Sequence, residues 1–146
     1  MIFKNAKQLE YYLLAKCKNA LAKAQERAYL IIDRFIRMYY GEYSPKMYKR
    51  TYELYCSLVK SDIIPTGTGY KAEVYVDLNY LNHIYSTGSK PTGEDVMHVA
   101  NLGIHGVESF AMANGTEIWN DSIQILDEDA INILKNMLIA EGIPIK

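Results

Sequence analysis

The sequence of 146 residues predicts an α+β fold: a long N-terminal helix packed on a small antiparallel β-sheet, with a short middle helix and a C-terminal helix. Three observations lead to this prediction. Residues 5–40 contain no proline or glycine and repeat apolar side chains in steps of three and four, residues 70–77 alternate apolar and polar side chains, and residues 130–141 return to helical spacing. No repeat or linker interrupts the chain, so residues 1–146 form a single predicted domain.

The first predicted helix runs from Asn5 to Tyr40 and has two apolar stripes. The main stripe consists of Leu9, Leu13, Cys17, Ala20, Ala24, Ala28, Ile31, Phe35 and Met38. The thinner second stripe consists of Tyr11, Ala22, Tyr29, Ile36 and Tyr40. At about 1.5 Å per residue the helix spans roughly 50 Å, which is longer than one domain of this size needs to cover its core. We therefore expect the main stripe to face the chain's own sheet and the second stripe to meet another subunit. The alternative is that the tyrosines of the second stripe are simply exposed on a surface helix.

Turn signals follow the long helix. Gly41 comes just past the last apolar position and is predicted to end the helix. Ser44 and Pro45 form a helix-start signal, with serine as the cap and proline at the first helical position. We expect a short helix or a pair of turns from there through Leu54.

A β-hairpin is predicted next. Residues 57–64 mix β-branched and polar side chains, residues 65–69 are rich in turn residues, and residues 70–77 alternate with a period of two. The two strands are therefore expected to pair antiparallel. Residues 79–93 then form a long polar loop, a feature that is usually functional or mobile in a compact domain.

Two helices are predicted in the C-terminal third. Thr92 is expected to cap a short helix over residues 94–102. Residues 118–126 are compatible with either a helical turn or a strand. Residues 127–129, Asp-Glu-Asp, are predicted to begin the final helix, because negative charge is favourable at a helix N-terminus, and Gly142 is predicted to end it.

The net charge is −1, but the charges are unevenly distributed. Residues 1–60 contain twelve Lys or Arg against five Asp or Glu, whereas residues 61–146 contain four against twelve. Three explanations stay open: the halves neutralise each other within one molecule, identical subunits pack head to tail into a ring, or the basic residues follow the phosphates of a nucleic acid. Five of the basic residues lie on one side of the first helix: Lys16, Lys23, Arg27, Arg34 and Arg37.

The candidate subunit interface combines the second stripe with its basic neighbours. It consists of Tyr11, Tyr29, Ile36, Tyr40, Lys23, Arg27 and Arg34. Tyrosine and arginine suit such a role, because both are enriched where proteins meet.

Targeting and redox signals are few. No apolar run follows a basic head at the N-terminus, and no apolar stretch approaches the roughly 20 residues of a membrane span. We therefore expect no signal peptide and no membrane partner. Cys17 and Cys56 are too few and too far apart for a disulfide framework, so we expect reduced, buried thiols in a product of the cytoplasm.

The sequence contains no recognisable catalytic or cofactor motif. Neither GxxxxGK[ST] nor GxGxxG is present, and the glycines at 67 and 69 belong to a hairpin turn rather than a phosphate loop. The histidines at 83, 98 and 105 lack the convergent ligands that a metal site needs. No enzyme, cofactor or metal is predicted.

One motif follows the long helix and precedes the hairpin. Its pattern is Y-x-P-x-x-Y-x-R-T-x-x-L-x-x-S, formed by Tyr43, Pro45, Tyr48, Arg50, Thr51, Leu54 and Ser57. The pattern resembles small tail-component proteins of phages and prophages, the neck proteins of long-tailed phages, and is similar to gene product ten of Hong Kong ninety-seven phage. The strand end at residues 74–77 and the chain end at residues 134–144 fit the same resemblance.

The resemblance implies a virion building block rather than a catalyst. It implies head–tail joining or tail completion, with the chain made in the host cytoplasm, assembled with itself as a ring, and docked on neighbouring head, neck or tail proteins. Direct binding of nucleic acid is not expected, although a nucleic-acid accessory protein that uses the basic helix stripe is the alternative. The resemblance does not distinguish tail completion from tail termination or head closure.

The motif also has a structural interpretation. Pro45 stiffens the turn after the long helix, and Arg50 is able to lock that turn against the hairpin through carbonyls or a carboxylate. Tyr43 and Tyr48 are expected to cover the base of the long helix. We also expect residues 79–93 and 103–117 to be loops that become ordered on docking and so prevent early assembly.

Overall fold

A computed structural model of the protein describes residues 2–42, 52–81, 88, 90–102 and 117–145. The fold is α+β, as predicted. The helices are α1 (Ala6–Glu42), α2 (Glu53–Cys56), α3 (Gly93–Asn101) and α4 (Ile118–Ala140). The strands are β1 (Leu58–Lys60), β2 (Ile64–Pro65), β3 (Tyr70–Lys71) and β4 (Val74–Val76), and a 3-10 turn spans Leu78–Tyr80.

Helix α1 is close to its predicted bounds but does not end at Gly41. Its 37 residues span about 55 Å, and the Asn5 side chain caps it by accepting a 2.9 Å hydrogen bond from the Gln8 amide. The helix continues through Gly41 to Glu42, and Gly41 lacks the positive φ of a C-terminal glycine. A glycine inside a helix costs only about 1 kcal/mol relative to alanine, so it does not by itself stop a helix.

The predicted hairpin is confirmed, as two short pieces. β1 pairs antiparallel with β4 and β2 with β3, in registers that place Leu58 opposite Val76 and Ile64 opposite Lys71. Between the pieces, the Ser61 amide donates to the Glu73 carbonyl at 2.9 Å. Gln25 of α1 donates to the carbonyls of both residues at 2.9 Å, which attaches the hairpin to the long helix.

The short helix α3 begins as predicted. The Thr92 hydroxyl accepts from the Asp95 amide, and the Asp95 carboxylate accepts from the Thr92 amide, which completes a capping box. The Thr92 hydroxyl also donates to the Asp95 carboxylate at 2.7 Å, and this hydrogen bond, together with the one from the Thr92 amide, lowers the pKa of Asp95. A Cβ on Gly93 would lie 2.6 Å from the Leu78 carbonyl oxygen, so this close approach of two backbones requires glycine.

Helix α4 is one continuous helix, and this corrects its predicted start. Residues 118–126, whose sequence is compatible with either a helical turn or a strand, are helical, and residues 127–129 lie inside the helix instead of beginning it. Burial of Ile118 and Ser122 against the core extends the helix towards its N-terminus. The predicted end is confirmed: Gly142 has φ +84°, and the amides of Gly142 and Ile143 donate to the carbonyls of Ile139 and Leu138 in a Schellman arrangement.

The two stripes of α1 do not divide between the chain's own core and its surface as predicted. Ile36 of the second stripe is 1% exposed and lies in the core, and Tyr29 and Tyr40 pack against that core. The alanines of the main stripe instead lie towards α4, the main helical neighbour of α1. The buried core consists of Ile32, Ile36, Leu54, Leu58, Leu81, Ala100 and Ile118.

Two of the seven motif residues are described, and both are buried. Leu54 belongs to the core, and the fully buried Ser57 hydroxyl donates to the Leu54 carbonyl at 2.7 Å. The Ser57 carbonyl also accepts from the Asp77 amide at 2.8 Å, which joins α2 to the end of the hairpin. The roles predicted for the remaining motif residues fall outside the described residues: Tyr43, Pro45, Tyr48, Arg50 and Thr51.

The core position of Ile36 generates a stability prediction. We expect Ile36→Ala to lower the free energy of unfolding by about 2–5 kcal/mol, because it removes buried apolar groups and leaves a cavity. The matched control is Leu30→Ala, six residues earlier on α1, where the side chain is 47% exposed and the expected change is below about 1 kcal/mol. Urea unfolding of dilute protein measures both, and equal losses would contradict the observed orientation of α1.

Candidate interaction surface

The C-terminal half of α1 has an exposed row of basic and apolar residues. This row, called the α1 row, consists of Arg27, Leu30, Arg34 and Met38. Their spacing of three and four places them on one helix face. Met38 is 42% exposed, and among the described residues neither arginine has an ion pair or a hydrogen-bond partner.

Helix α4 has a complementary row on its outer side. This row, called the α4 row, consists of Asp121, Ile125, Glu128 and Ile131. Ile131 is 72% exposed and Ile125 is 36% exposed. Among described residues neither acid has an ion pair, and Glu128 accepts only a long 3.3 Å hydrogen bond from Gln124 of its own helix. Both rows therefore combine unpaired charge with exposed apolar area.

A polar clamp joins the end of α4 to the first half of α1. The largely buried Glu141 carboxylate accepts from Lys23, from Lys16 at 3.4 Å and from Asn19 at 3.5 Å. The hydrogen bond from Lys23 is the main reason that the pKa of Glu141 is lowered, against the opposing effect of burial. Lys23 is thus engaged within its own chain, whereas the sequence suggested that it faces a neighbour.

Two further cations are also engaged within the chain. Arg37 donates to Asp33 at 2.8 Å and to the Tyr55 hydroxyl, and its guanidinium lies 4.8 Å from the centre of the Tyr55 ring. The bond to Asp33 raises the pKa of Arg37. Lys60 forms an ion pair with Glu26. Of the five predicted basic residues, only Arg27 and Arg34 keep exposed, unpartnered charges among the described residues.

The predicted tyrosine contacts are divided between the core and the surface. Tyr11 is 62% exposed, as a subunit contact requires. Tyr29 packs against the core beneath the Lys60 ammonium, which lies 4.9 Å from its ring centre, and the Tyr40 ring lies 5.1 Å from the Tyr52 ring, tilted by 42°. The prediction of a subunit contact is wrong for Ile36, because the core already buries this side chain within a single chain.

An apolar groove of about 410 Å³ opens between α1, the hairpin and α4. Alanines at positions 24, 28, 72 and 130 leave this space, because they lack the side-chain volume to fill the gap between the elements. Trp119 and Leu126 of α4 form part of its wall.

The candidate metal ligands and nucleophiles of the sequence are only partly described by the structure. No group of three or more His, Cys, Asp or Glu side chains suited to a metal ion occurs among the described residues. The His98 side chain is exposed on α3, and His83 and His105 lie outside the described residues. Cys17 and Cys56 are free thiols, but the prediction of burial is wrong for Cys56, which is exposed. Within the described part of the chain, no helix has the length and apolarity to cross a bilayer.

These features define a small α+β protein whose described surface offers helix faces for contact with other molecules. Residues 5–140 match the YomN family model, and the chain belongs to that family. The family is associated with phages and prophages, which indicates a phage protein. The chain matches no protein of curated function and no solved structure.

The lowered pKa of Glu141 generates a prediction about pH. A carboxylate whose pKa is lower in the folded than in the unfolded state stabilises the fold above its ordinary pKa, and this stabilisation is lost as the pH falls through the lowered value. We therefore expect Glu141→Gln to be less stable than the wild type at pH 7, with the difference shrinking below about pH 4.5, the ordinary pKa of Glu.

Urea unfolding at several pH values measures this difference. The matched control is Glu10→Gln on the exposed N-terminal part of α1, which has no ion pair among the described residues. A stability difference for Glu141→Gln that is independent of pH would contradict a role for the charged carboxylate.

Proposed function

We propose that the chain is a non-enzymatic structural protein of the phage virion, located at the head–tail junction. There it acts by oligomerising, as a ring, and by docking to neighbouring head, neck or tail proteins. Membership of a phage-associated family and the sequence resemblance to neck proteins support this proposal. The observation that carries it is the α1 row, which exposes two unpaired arginines beside apolar side chains.

The chemistry of this row suits a protein contact. Arginine and methionine are enriched in protein interfaces, where a planar guanidinium pairs with carboxylates and the apolar side chains lose contact with water. A row on a long helix is also held rigidly, so contact with a partner costs little conformational entropy. The chain is made in the bacterial host cytoplasm and enters the particle during assembly, and neither step calls for a cofactor.

The alternative is a nucleic-acid accessory protein that uses the basic side of α1. Its support is that Arg27 and Arg34 are exposed and unpaired among the described residues. The alternation with Leu30 and Met38 favours a protein surface instead, because a phosphate backbone offers no apolar area. Lys16, Lys23 and Arg37 are engaged by acidic residues of the chain itself, which shortens the available basic track.

The phage particle offers the most direct test of the proposal. We expect mass spectrometry to detect the chain in purified phage, and deletion of its gene to yield separate filled heads and complete tails in electron micrographs. Expression of the chain from a plasmid should restore joined particles. Normal joined particles without the chain would contradict a structural role at the junction.

Experiments on the purified chain distinguish the structural function from nucleic-acid binding. We expect light scattering to show an oligomer whose mass rises with protein concentration and falls with added salt, because exposed charges are screened over about 8 Å at physiological ionic strength. Fluorescence anisotropy with labelled duplex DNA should show no binding at that salt. Tight DNA binding whose affinity falls steeply with salt would favour the alternative.

A further inference from the structure

We propose that the α1 row of one copy packs antiparallel against the α4 row of a second copy. In this arrangement Arg27 faces Glu128, Leu30 faces Ile125 and Arg34 faces Asp121. The inference rests on the proposed function, since it names the contact through which the copies oligomerise.

The spacing of charges in the two rows is the first support. Arg27 and Arg34 are seven residues apart, as are Asp121 and Glu128. Seven residues correspond to about two helical turns or 10.5 Å along each axis, so both opposite-charge pairs form at once when the helices lie side by side.

The apolar residues select the antiparallel direction. Leu30 lies three residues after Arg27, and Ile125 lies three residues before Glu128. Antiparallel packing therefore places the leucine and the isoleucine opposite each other between the two charge pairs. Parallel packing would place Leu30 opposite Gln124 and would leave an exposed apolar side chain facing an amide.

The charge environment is the second support. The clamp and the Asp33 carboxylate engage the other cations on this side of α1, which leaves Arg27 and Arg34 available. Both acids of the α4 row are without an ion pair in the described part of the chain. A contact between copies pairs all four charges and covers Leu30 and Ile125.

The two rows belong to different helices of the same chain, and in the head-to-tail arrangement that a ring requires, the interface between copies is heterologous. Each copy therefore offers one row to the copy before it and the other row to the copy after it. Such head-to-tail contacts form a ring when the rotation between copies closes.

Two charge-reversed variants test the contact. The first carries Arg27→Glu with Arg34→Glu, and the second carries Asp121→Lys with Glu128→Lys. Each variant alone should raise the dissociation constant for self-association at least about tenfold, because attraction becomes repulsion at both pairs. Analytical ultracentrifugation at low and moderate salt measures this constant.

Mixing the two variants gives the decisive result. In an equimolar mixture every junction between unlike variants again joins opposite charges, so association should return to within about threefold of the wild type. The matched controls are Lys90→Glu and Asp62→Lys, exposed residues without ion pairs in the described part of the chain, which should change nothing and should not complement each other.

Folding of each variant is checked by circular dichroism. Asp121 lies in the first turn of α4, where a lysine opposes the helix dipole. If that variant does not fold, the single pair Arg27→Glu and Glu128→Lys supports the same test, with a smaller loss for each variant and recovery on mixing.

The outcomes separate this inference from the proposed function. Loss in each variant without recovery on mixing overturns the pairing of the two rows, and unchanged association in both variants does the same. A wild-type chain that stays monomeric up to about 1 mM, where a contact of millimolar affinity is substantially occupied, also overturns it. None of these results bears on whether the chain is part of the virion, because mass spectrometry of the particle and the gene deletion test that independently.

Discussion

The packing of α4 along α1 is the constraint on which the rest of the structure depends. Helix α1 is about 55 Å long and keeps its place only where another element covers it. Ile118 and Ser122 seat the start of α4 in the core, and Glu141 fixes its end by accepting from Lys16, Asn19 and Lys23. With both ends held, α4 buries one face, and the opposite face, which carries the α4 row, is left to solvent.

Local signals in the sequence predicted the fold well. The hairpin, the capping box at Thr92 and the left-handed Gly142 were all predictable, because each depends on residues a few positions apart. The start of α4 was not. The acidic residues 127–129 have the composition of a helix N-terminus, but burial of Ile118 extends the helix nine residues earlier. Tertiary packing decided this boundary, and it is not visible in local composition.

Periodicity identified the faces of α1 but not their neighbours. A stripe of alanines and a stripe of tyrosines are both apolar faces, and spacing alone does not tell whether a sheet, a helix or another subunit covers them. The interpretation of Ile36 as a subunit contact therefore fails, whereas Arg27 and Arg34 lie on the surface as expected. The partner of Lys23 lies 118 residues away in the sequence, so the clamp at Glu141 has no local signal.

The ion pairs bear on the uneven charge of the two halves of the chain. In the described part, the pairs that cross between residues 1–60 and 61–146 all end on Glu141, while Arg37, Lys60 and Lys71 pair within their own half. Direct ion pairs between the two halves of the described chain therefore neutralise only two of the basic residues, Lys16 and Lys23. Among the described residues, Arg27 and Arg34 on α1 and Asp121 and Glu128 on α4 stay without an ion pair. Charges of opposite sign on different helices would favour the proposed contact between unlike faces of neighbouring copies, which is the geometry from which rings are built.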